Sequence, residues 1–283
     1  MECVTRDELL TAETRRMLSQ PPRGTGPRAH LNRWSVVVAG LALASIATWW
    51  AAEFAGIRTM QTAVGEQQLI VLPDGSRVTV NTNSQLRIDY RFGRRRIKLE
   101  WGEALFDVAH DAAHPFVVRA AQTVVTALGT EFAVAKSAEG VEVSVLEGRV
   151  RAETSRSSDS ALPGLVLNAG HAGRLASQDR EWTRAEADSA RIRAWQAKRL
   201  QFQNVTLEAV VAEFNRYSNT QLVIEDRRLA TLPVSGVFRI GQTESLVRAL
   251  VEVYPIRVHR ESRRIILRFA ASPVTPTQHL VVN

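Results

Sequence analysis

The sequence contains a single cysteine, Cys3, close to its start. The remainder of the chain therefore cannot form an internal disulfide, and its domains must rely on packed apolar cores for their stability. A lone cysteine without a partner motif is also a poor candidate for a metal-binding or reactive thiol.

Lysine is nearly as scarce, since Lys98, Lys136 and Lys198 are the only lysines among 36 basic residues. Arginine is abundant, and the formal net charge is +7. A basic balance can indicate nucleic-acid binding. Here, however, cationic and apolar residues alternate, as at residues 96–99, which is typical of the solvated face of a sheet. We therefore expect no nucleic-acid partner.

The common catalytic and cofactor-binding motifs are absent from the sequence. It has no G-x-S-x-G, no phosphate-binding loop and no G-x-G-x-x-G. His110 and His114 have the spacing of a zinc site on a helix, but Pro115 follows them and strands are predicted on both sides. We expect no catalytic residue, no metal site and no cofactor, and we predict that the protein is not an enzyme.

One stretch, residues 34–52, carries no charge. A helix of that length would approach the roughly 30 Å hydrocarbon core of a bilayer. Trp34, Trp49 and Trp50 lie near its ends, where aromatic rings favour the headgroup level. A buried core helix and a cleaved signal peptide are the alternatives. We predict a single transmembrane helix over residues 34–57.

Arginines are distributed unequally around this stretch. The five that closely precede it are Arg15, Arg16, Arg23, Arg28 and Arg33, whereas Arg58 alone closely follows it. Because basic flanks are retained in the cytoplasm, the N-terminus is predicted to be cytoplasmic and residues 58–283 to be exported. Residues 1–33 would form a short cytoplasmic segment. This segment is either a disordered positive tail that only sets the topology, or a short helix that folds on a cytoplasmic partner.

Short β-rich segments separated by turn residues occupy residues 58–187. Many short strands at close spacing indicate an all-β sandwich, barrel or solenoid. Apolar residues that alternate with polar ones along a strand face one side of a sheet. The alternating side chains expected in this core are Ile97, Leu99, Trp101, Val141, Val143 and Val145.

The pattern changes after a predicted connector at residues 188–198. Over residues 199–269, two amphipathic helical segments each lie between predicted strands, so the region looks like βαβ twice over, a small α+β domain. Residues 270–283 form a tail without helical periodicity. The strand that begins at Pro233 is predicted at a sheet edge, because proline cannot donate a ladder hydrogen bond.

Several motifs together resemble the FecR family of inner-membrane sensors. They are LPDGSRVTVNTNSQLRIDY, WGEALFDVA, HPFVVRAAQTVVTALGTEFAV, VSVLEGRV and NAGHAGRL, in the family's order. The segment that begins LQFQNVTLEAVV resembles the C-terminal part of the family, which is similar to the secretin/TonB short N-terminal domain. The expected fold class is therefore an N-terminal transmembrane helix, an all-β FecR-like periplasmic domain and a small α+β domain with a βαβ repeat.

This resemblance implies a bacterial inner-membrane protein that crosses once, with a cytoplasmic N-terminus and a periplasmic C-terminus. It would relay a signal from the N-terminal signalling domain of a TonB-dependent outer-membrane receptor to an extracytoplasmic-function sigma factor. A membrane protease is a further expected partner. The alternative is a membrane-anchored periplasmic protein-binding module without sigma-factor output, given the short segment at residues 1–33.

The α+β domain is expected to dock the partner's periplasmic domain. It offers a strand edge at Val234, Gly236 and Phe238, and a helix face at Leu207 and Val211. The edge is the preferred surface, because the two helix residues are more often core than interface and main-chain bonds leave side chains free to pack.

Overall fold

The computed structural model describes residues 57–154, 164–179 and 181–270. The predicted fold class is wrong for this part of the chain, which is dominated by one large curled sheet. Within these ranges no helix is long and apolar enough to cross a membrane. Of the predicted transmembrane segment, residues 34–56 lie outside the described ranges, and its last residue, Ile57, begins a β-strand.

The large sheet has 13 strands within the described ranges. They are β1 (Ile57–Gln61), β2 (Gln68–Val71), β3 (Arg77–Val80), β4 (Gln85–Asp89), β5 (Arg95–Asp107), β6 (Phe116–Ala120), β7 (Thr123–Ala127), β8 (Glu131–Lys136), β9 (Gly140–Glu147), β10 (Arg149–Thr154), β11 (Leu165–Asn168), β12 (His171–Ala176) and β13 (Thr183–Glu186). A short 3-10 helix, Arg91–Gly93, precedes β5.

The long strand β5 joins the two halves of this sheet. Its first half pairs with β4 and, in parallel, with β6, and its second half pairs with β3 and β8. Ile97 and Leu99 from the first half share one buried core with Ala104 and Phe106 from the second. The sheet therefore curls around its core, and each half covers the apolar face of the other.

Five of the six predicted core residues of this sheet are buried, but Trp101 is 41% exposed and that prediction is wrong. The cause is a β-bulge in β5. On β4, Leu86 pairs with Leu99 and the residue before it, Gln85, pairs with Trp101. Glu100 of β5 therefore has no partner on β4 and is an extra residue in the ladder. One extra residue reverses the alternation of faces, and it turns the Trp101 side chain away from the core.

The C-terminal part contains four helices and five strands among the described residues. They are α1 (Ser189–Gln196), β14 (Arg199–Thr206), α2 (Leu207–Arg216), β15 (Gln221–Ile224), α3 (Arg227–Ala230), β16 (Pro233–Arg239), α4 (Thr243–Val253), β17 (Ile256–Arg260) and β18 (Arg264–Phe269). The Thr206 hydroxyl caps α2 by accepting from the Ala209 amide, and the Asp188 carboxylate caps α1.

These strands form two small sheets. In one sheet, β14 pairs antiparallel with β16, and in the other, β18 lies between β15, which is parallel to it, and β17, which is antiparallel. The strands that flank α2 therefore lie in different sheets, as do those that flank α4. The predicted βαβ repeat is wrong in its pairing, because helical and strand periodicities locate elements without fixing their partners. The apolar faces of α2 and α4 pack into a second core.

Candidate functional site

A carboxylate is buried where α1 and α2 meet the large sheet. Glu103, from the second half of β5, has a side chain that is only 1% exposed. Its carboxylate lies 3.1 Å from an Arg191 guanidinium nitrogen on α1 and 2.8 Å from one of Arg216 on α2. The Asn81 amide adds a hydrogen bond of 2.9 Å to the same carboxylate. One sheet residue therefore holds two helices of the C-terminal part.

The charges at this junction are mutually dependent. Burial alone would raise the pKa of Glu103, but Arg191 and Arg216 outweigh it and hold that pKa below its ordinary value. Burial would likewise lower the pKa of Arg216, but the carboxylates of Glu213 and Glu103 raise it overall. Glu103, Arg191 and Arg216 are therefore all ionised at neutral pH.

Neutral hydrogen bonds extend the same junction. The Asn81 amide also donates to the Tyr217 hydroxyl at 2.9 Å, and the Gln67 amide donates to the Trp195 carbonyl at 3.0 Å. The Thr82 hydroxyl donates to the Arg216 carbonyl at 3.1 Å. Each bond runs from the segment around β2 and β3 to the C-terminal part. Buried polar bonds of this kind fix one relative orientation, because any other leaves polar groups unpaired.

An apolar cluster completes the junction. Leu105 and Ala133, on the outer face of the sheet, are buried together with Ile192 and Trp195 of α1. Trp195 is fully buried, although its indole N–H has no hydrogen-bond acceptor within the described ranges. The segment predicted as a connector is thus a packed element, and the spacing of Ile192 and Trp195 on α1 was its only sequence signal.

An open groove of ≈ 490 Å³ runs beside this junction. Trp101 lies on its wall, and the charged side chains of both signs that line it include Lys136 and Glu142. Several of these charges pair with one another, as Arg174 and Glu139 do at 3.3 Å. A lining with balanced, mutually paired charges favours no class of charged ligand.

The histidine pair considered as a zinc site lies outside any described helix. His114 contacts the Asp111 carboxylate at 2.9 Å, and this bond lowers the pKa of Asp111. No group of three or more potential metal ligands occurs in the part of the chain that the structure describes.

The predicted partner-binding residues occupy different environments. Leu207, Val211 and Val234 are buried in the second core. Phe238 is half-buried and packs edge-on against Phe214 at 5.5 Å between ring centroids. These side chains offer little to a partner, but β16 pairs with β14 alone among the described strands, so its other edge is open. Gly236 lies in that strand beneath the Phe238 ring. The other predicted site residues, Trp34, Trp49 and Trp50, lie outside the described residues.

Comparison with known proteins finds a family match over most of the large sheet. Residues 58–151 match the model of the family described as FecR protein. Two crystal structures of a proposed anti-sigma factor from Parabacteroides distasonis are similar to the chain, with TM-scores of 0.61 and 0.60. Each is 25% identical to it, and each alignment covers 76% of this chain and 100% of the other. No curated protein matches the chain.

Proposed function

We propose, from the premise that the chain is a FecR-family protein, that it is a signalling regulator of the anti-sigma type. The match over residues 58–151 confirms the family expected from the sequence motifs. The observation that carries the proposal is the likeness to the proposed anti-sigma factor, which extends beyond the matched region into the C-terminal part. A regulatory rather than enzymatic role also fits the family.

The proposed partner on the output side is an extracytoplasmic-function sigma factor. On the input side we propose the N-terminal signalling domain of a TonB-dependent outer-membrane receptor, with a membrane protease as a route of release. FecR proteins are generally membrane-anchored sensors. That property supports membrane anchoring of this chain, and the unequal arginines around residues 34–52 support a periplasmic location for the described residues. Iron transport is one process that we propose it regulates.

The junction at Glu103 supports a relay through the whole described unit. Two helices are tied to the sheet by a buried charge cluster and by the packing of Trp195. A partner that binds the C-terminal part would therefore act on the large sheet as well, because buried contacts connect the two. The proposed receptor contact is the open edge of β16, where main-chain groups pair while Val234 and Phe238 remain packed.

The sigma-factor output is tested with promoter reporters for the extracytoplasmic-function sigma factors of the source organism, in cells that express or lack the chain. Regulation predicts that reporter activity changes when the chain is removed. Unchanged activity, with binding to the receptor domain intact, supports the alternative of a protein-binding module without sigma-factor output.

The receptor contact is tested by hydrogen exchange of the full-length chain with and without the receptor's signalling domain. The β16 amides should gain protection on binding. The exposed edge strand β13, Thr183–Glu186, is the matched control and should exchange as before. Protection at β13 or at the groove near Trp101, with none at β16, would contradict the proposed surface.

A further inference from the structure

A second groove lies on the C-terminal part, between helix α4 and strand β17. It encloses ≈ 470 Å³. Its apolar lining is formed by Val247 and Val251 of α4 and by Ile256 and Val258 of β17, and two glutamates and two arginines stand around it, so its rim has no net charge. Val251 is 45% exposed, which is high for an apolar side chain that faces a neighbouring strand. The groove is therefore an apolar trough that nothing in the described residues fills.

The outer edge of β17 is open. This strand pairs with β18 alone among the described strands. The Glu261 amide bonds to the Arg264 carbonyl at 2.8 Å at the turn between the two strands. Because antiparallel ladders alternate, this bond directs the main-chain groups of every second residue toward β18 and those of Val258 and Arg260 away from it. These groups lie along the groove and can pair with an added strand.

The other face of β17 is basic. Arg257, together with Arg263 and Arg264 at the turn, has no ion-pair partner within the described ranges. Arg257 lies directly across the ladder from Arg268, whose charge is already held by Glu225. Arg257 is therefore the cation of this pair that still lacks a counter-charge, and an arriving carboxylate would supply one.

We infer that this α4–β17 groove binds an extended acidic peptide segment of a partner protein, which adds as a strand beside β17. Side chains of a strand alternate between its faces. Apolar residues of the peptide would thus enter the trough, while intervening Asp or Glu residues would lie beside Arg257. This is strand addition at a sheet edge, with affinity from the main chain and selectivity from the two faces.

Two other occupants fit the groove less well. A second copy of this chain that paired through β17 would bring arginine against arginine. The chain's own C-terminal residues, 271–283, contain no Asp or Glu, so they would leave the basic face without a counter-charge. The inference does not depend on sigma-factor regulation or on the β16 contact, and it is tested separately from both.

The test titrates the full-length chain into a fluorescent peptide in which glutamate and valine alternate, with binding followed by anisotropy. A peptide in which lysine replaces glutamate is the control. The acidic peptide should bind at least about tenfold more tightly than the basic one, and its advantage should shrink as salt is added. Equal binding of the two peptides would overturn the inference.

Matched variants locate the site. Val251→Glu places a charge in the trough and should weaken binding of the acidic peptide by about tenfold or more. Val253→Glu adds the same charge to the same helix at a residue that is 71% exposed and lies outside the groove, so affinity should stay within about twofold. Arg257→Gln should weaken binding of the acidic peptide and reduce its advantage over the basic peptide.

Three further results would overturn the inference. Equal loss of affinity in the two valine variants would show non-specific charge repulsion. Binding that appears only after residues 271–283 are deleted would make that segment the occupant. A dimer, measured by sedimentation and abolished by Val251→Glu, would make a second copy the occupant.

Discussion

The substitution Glu103→Gln tests the buried cluster that joins α1 and α2 to the large sheet. Glutamine keeps the shape of glutamate, and its carbonyl oxygen can still accept from Asn81. It removes the negative charge, however, and turns an amide NH₂ toward one of the two guanidiniums. Arg191 and Arg216 then lie close together without the carboxylate that separates their charges.

The expected loss of stability follows from the burial of the partners. Removing one member of a buried ion pair costs about 3–5 kcal/mol, because the remaining charge is left without compensation. The side chains of Arg191 and Arg216 are 28% and 39% exposed, so water can rehydrate part of their charge. We therefore expect the free energy of unfolding to fall by about 3 kcal/mol, at the lower end of that range.

The measurement is urea unfolding, with Glu225→Gln as the matched control. Glu225 pairs with Arg268, and both side chains are 51% exposed, so the control should leave the free energy of unfolding almost unchanged. Hydrogen exchange of Glu103→Gln should also rise along α1 and the start of β14 before it rises in the core of the large sheet. Equal losses in the two variants would refute the argument that the junction is held by a buried charge.

Three further predictions concern the same unit. The pKa of Glu103 is lower in the folded protein than its ordinary value of 4.5, so its stabilising contribution is complete above pH 4.5 and declines as the pH falls through the folded pKa. The difference in unfolding free energy between wild type and Glu103→Gln should therefore shrink as the pH is lowered. In thermal or urea unfolding, Trp195→Ala should lower the free energy of unfolding by about 3–5 kcal/mol, whereas Trp101→Ala should lower it by about 1 kcal/mol or less. A larger loss for Trp101→Ala than for Trp195→Ala would show that the β-bulge is misplaced. Gly102→Ala and Gly170→Ala both place a side chain at positive φ, but of the two only the methyl group at Gly102 would meet other atoms. In the same assay, Gly102→Ala should therefore lower the free energy of unfolding by about 1–3 kcal/mol more than Gly170→Ala does.

The core of the large sheet could be predicted from sequence because alternation reports directly on which face of a strand is buried. Val141, Val143 and Val145 are 0–3% exposed as expected. The same rule failed at Trp101 because it assumes an uninterrupted ladder. A bulge shifts the alternation by one residue, and the only trace of it in the sequence is Gly102, which has a φ of +89°. A glycine alone does not distinguish a bulge from a turn.

The pairing of strands in the C-terminal part could not be predicted in the same way. The apolar faces of α2 and α4 could be predicted from helical periodicity, and their residues Leu207, Val211 and Leu250 are buried. Which strands those helices join depends on long-range contacts that leave no local pattern. The parallel pairing of β15 with β18 brings together residues of the chain that are separated by α3, β16, α4 and β17.

The junction was missed because β5 is buried on both faces in its second half. Charged residues in an alternating strand are normally solvated, so Glu103 carried no signal in a single sequence. Leu105 is two residues further on and faces the same side, toward α1. An apolar residue on the nominally polar face of a strand was the available hint that another element covers it.

A buried charge is a poor source of stability, since an apolar residue of similar size often serves as well or better. Its presence at Glu103 therefore calls for another explanation, and geometry supplies one. The apolar contact between Trp195 and the sheet is non-directional and would tolerate sliding. A carboxylate that pairs with Arg191 from one helix and Arg216 from another favours one arrangement, because a shift of either helix lengthens one of the two ion pairs. For a protein proposed to pass a contact made on its C-terminal part to the rest of the chain, a fixed orientation of α1 and α2 on the large sheet matters more than added stability.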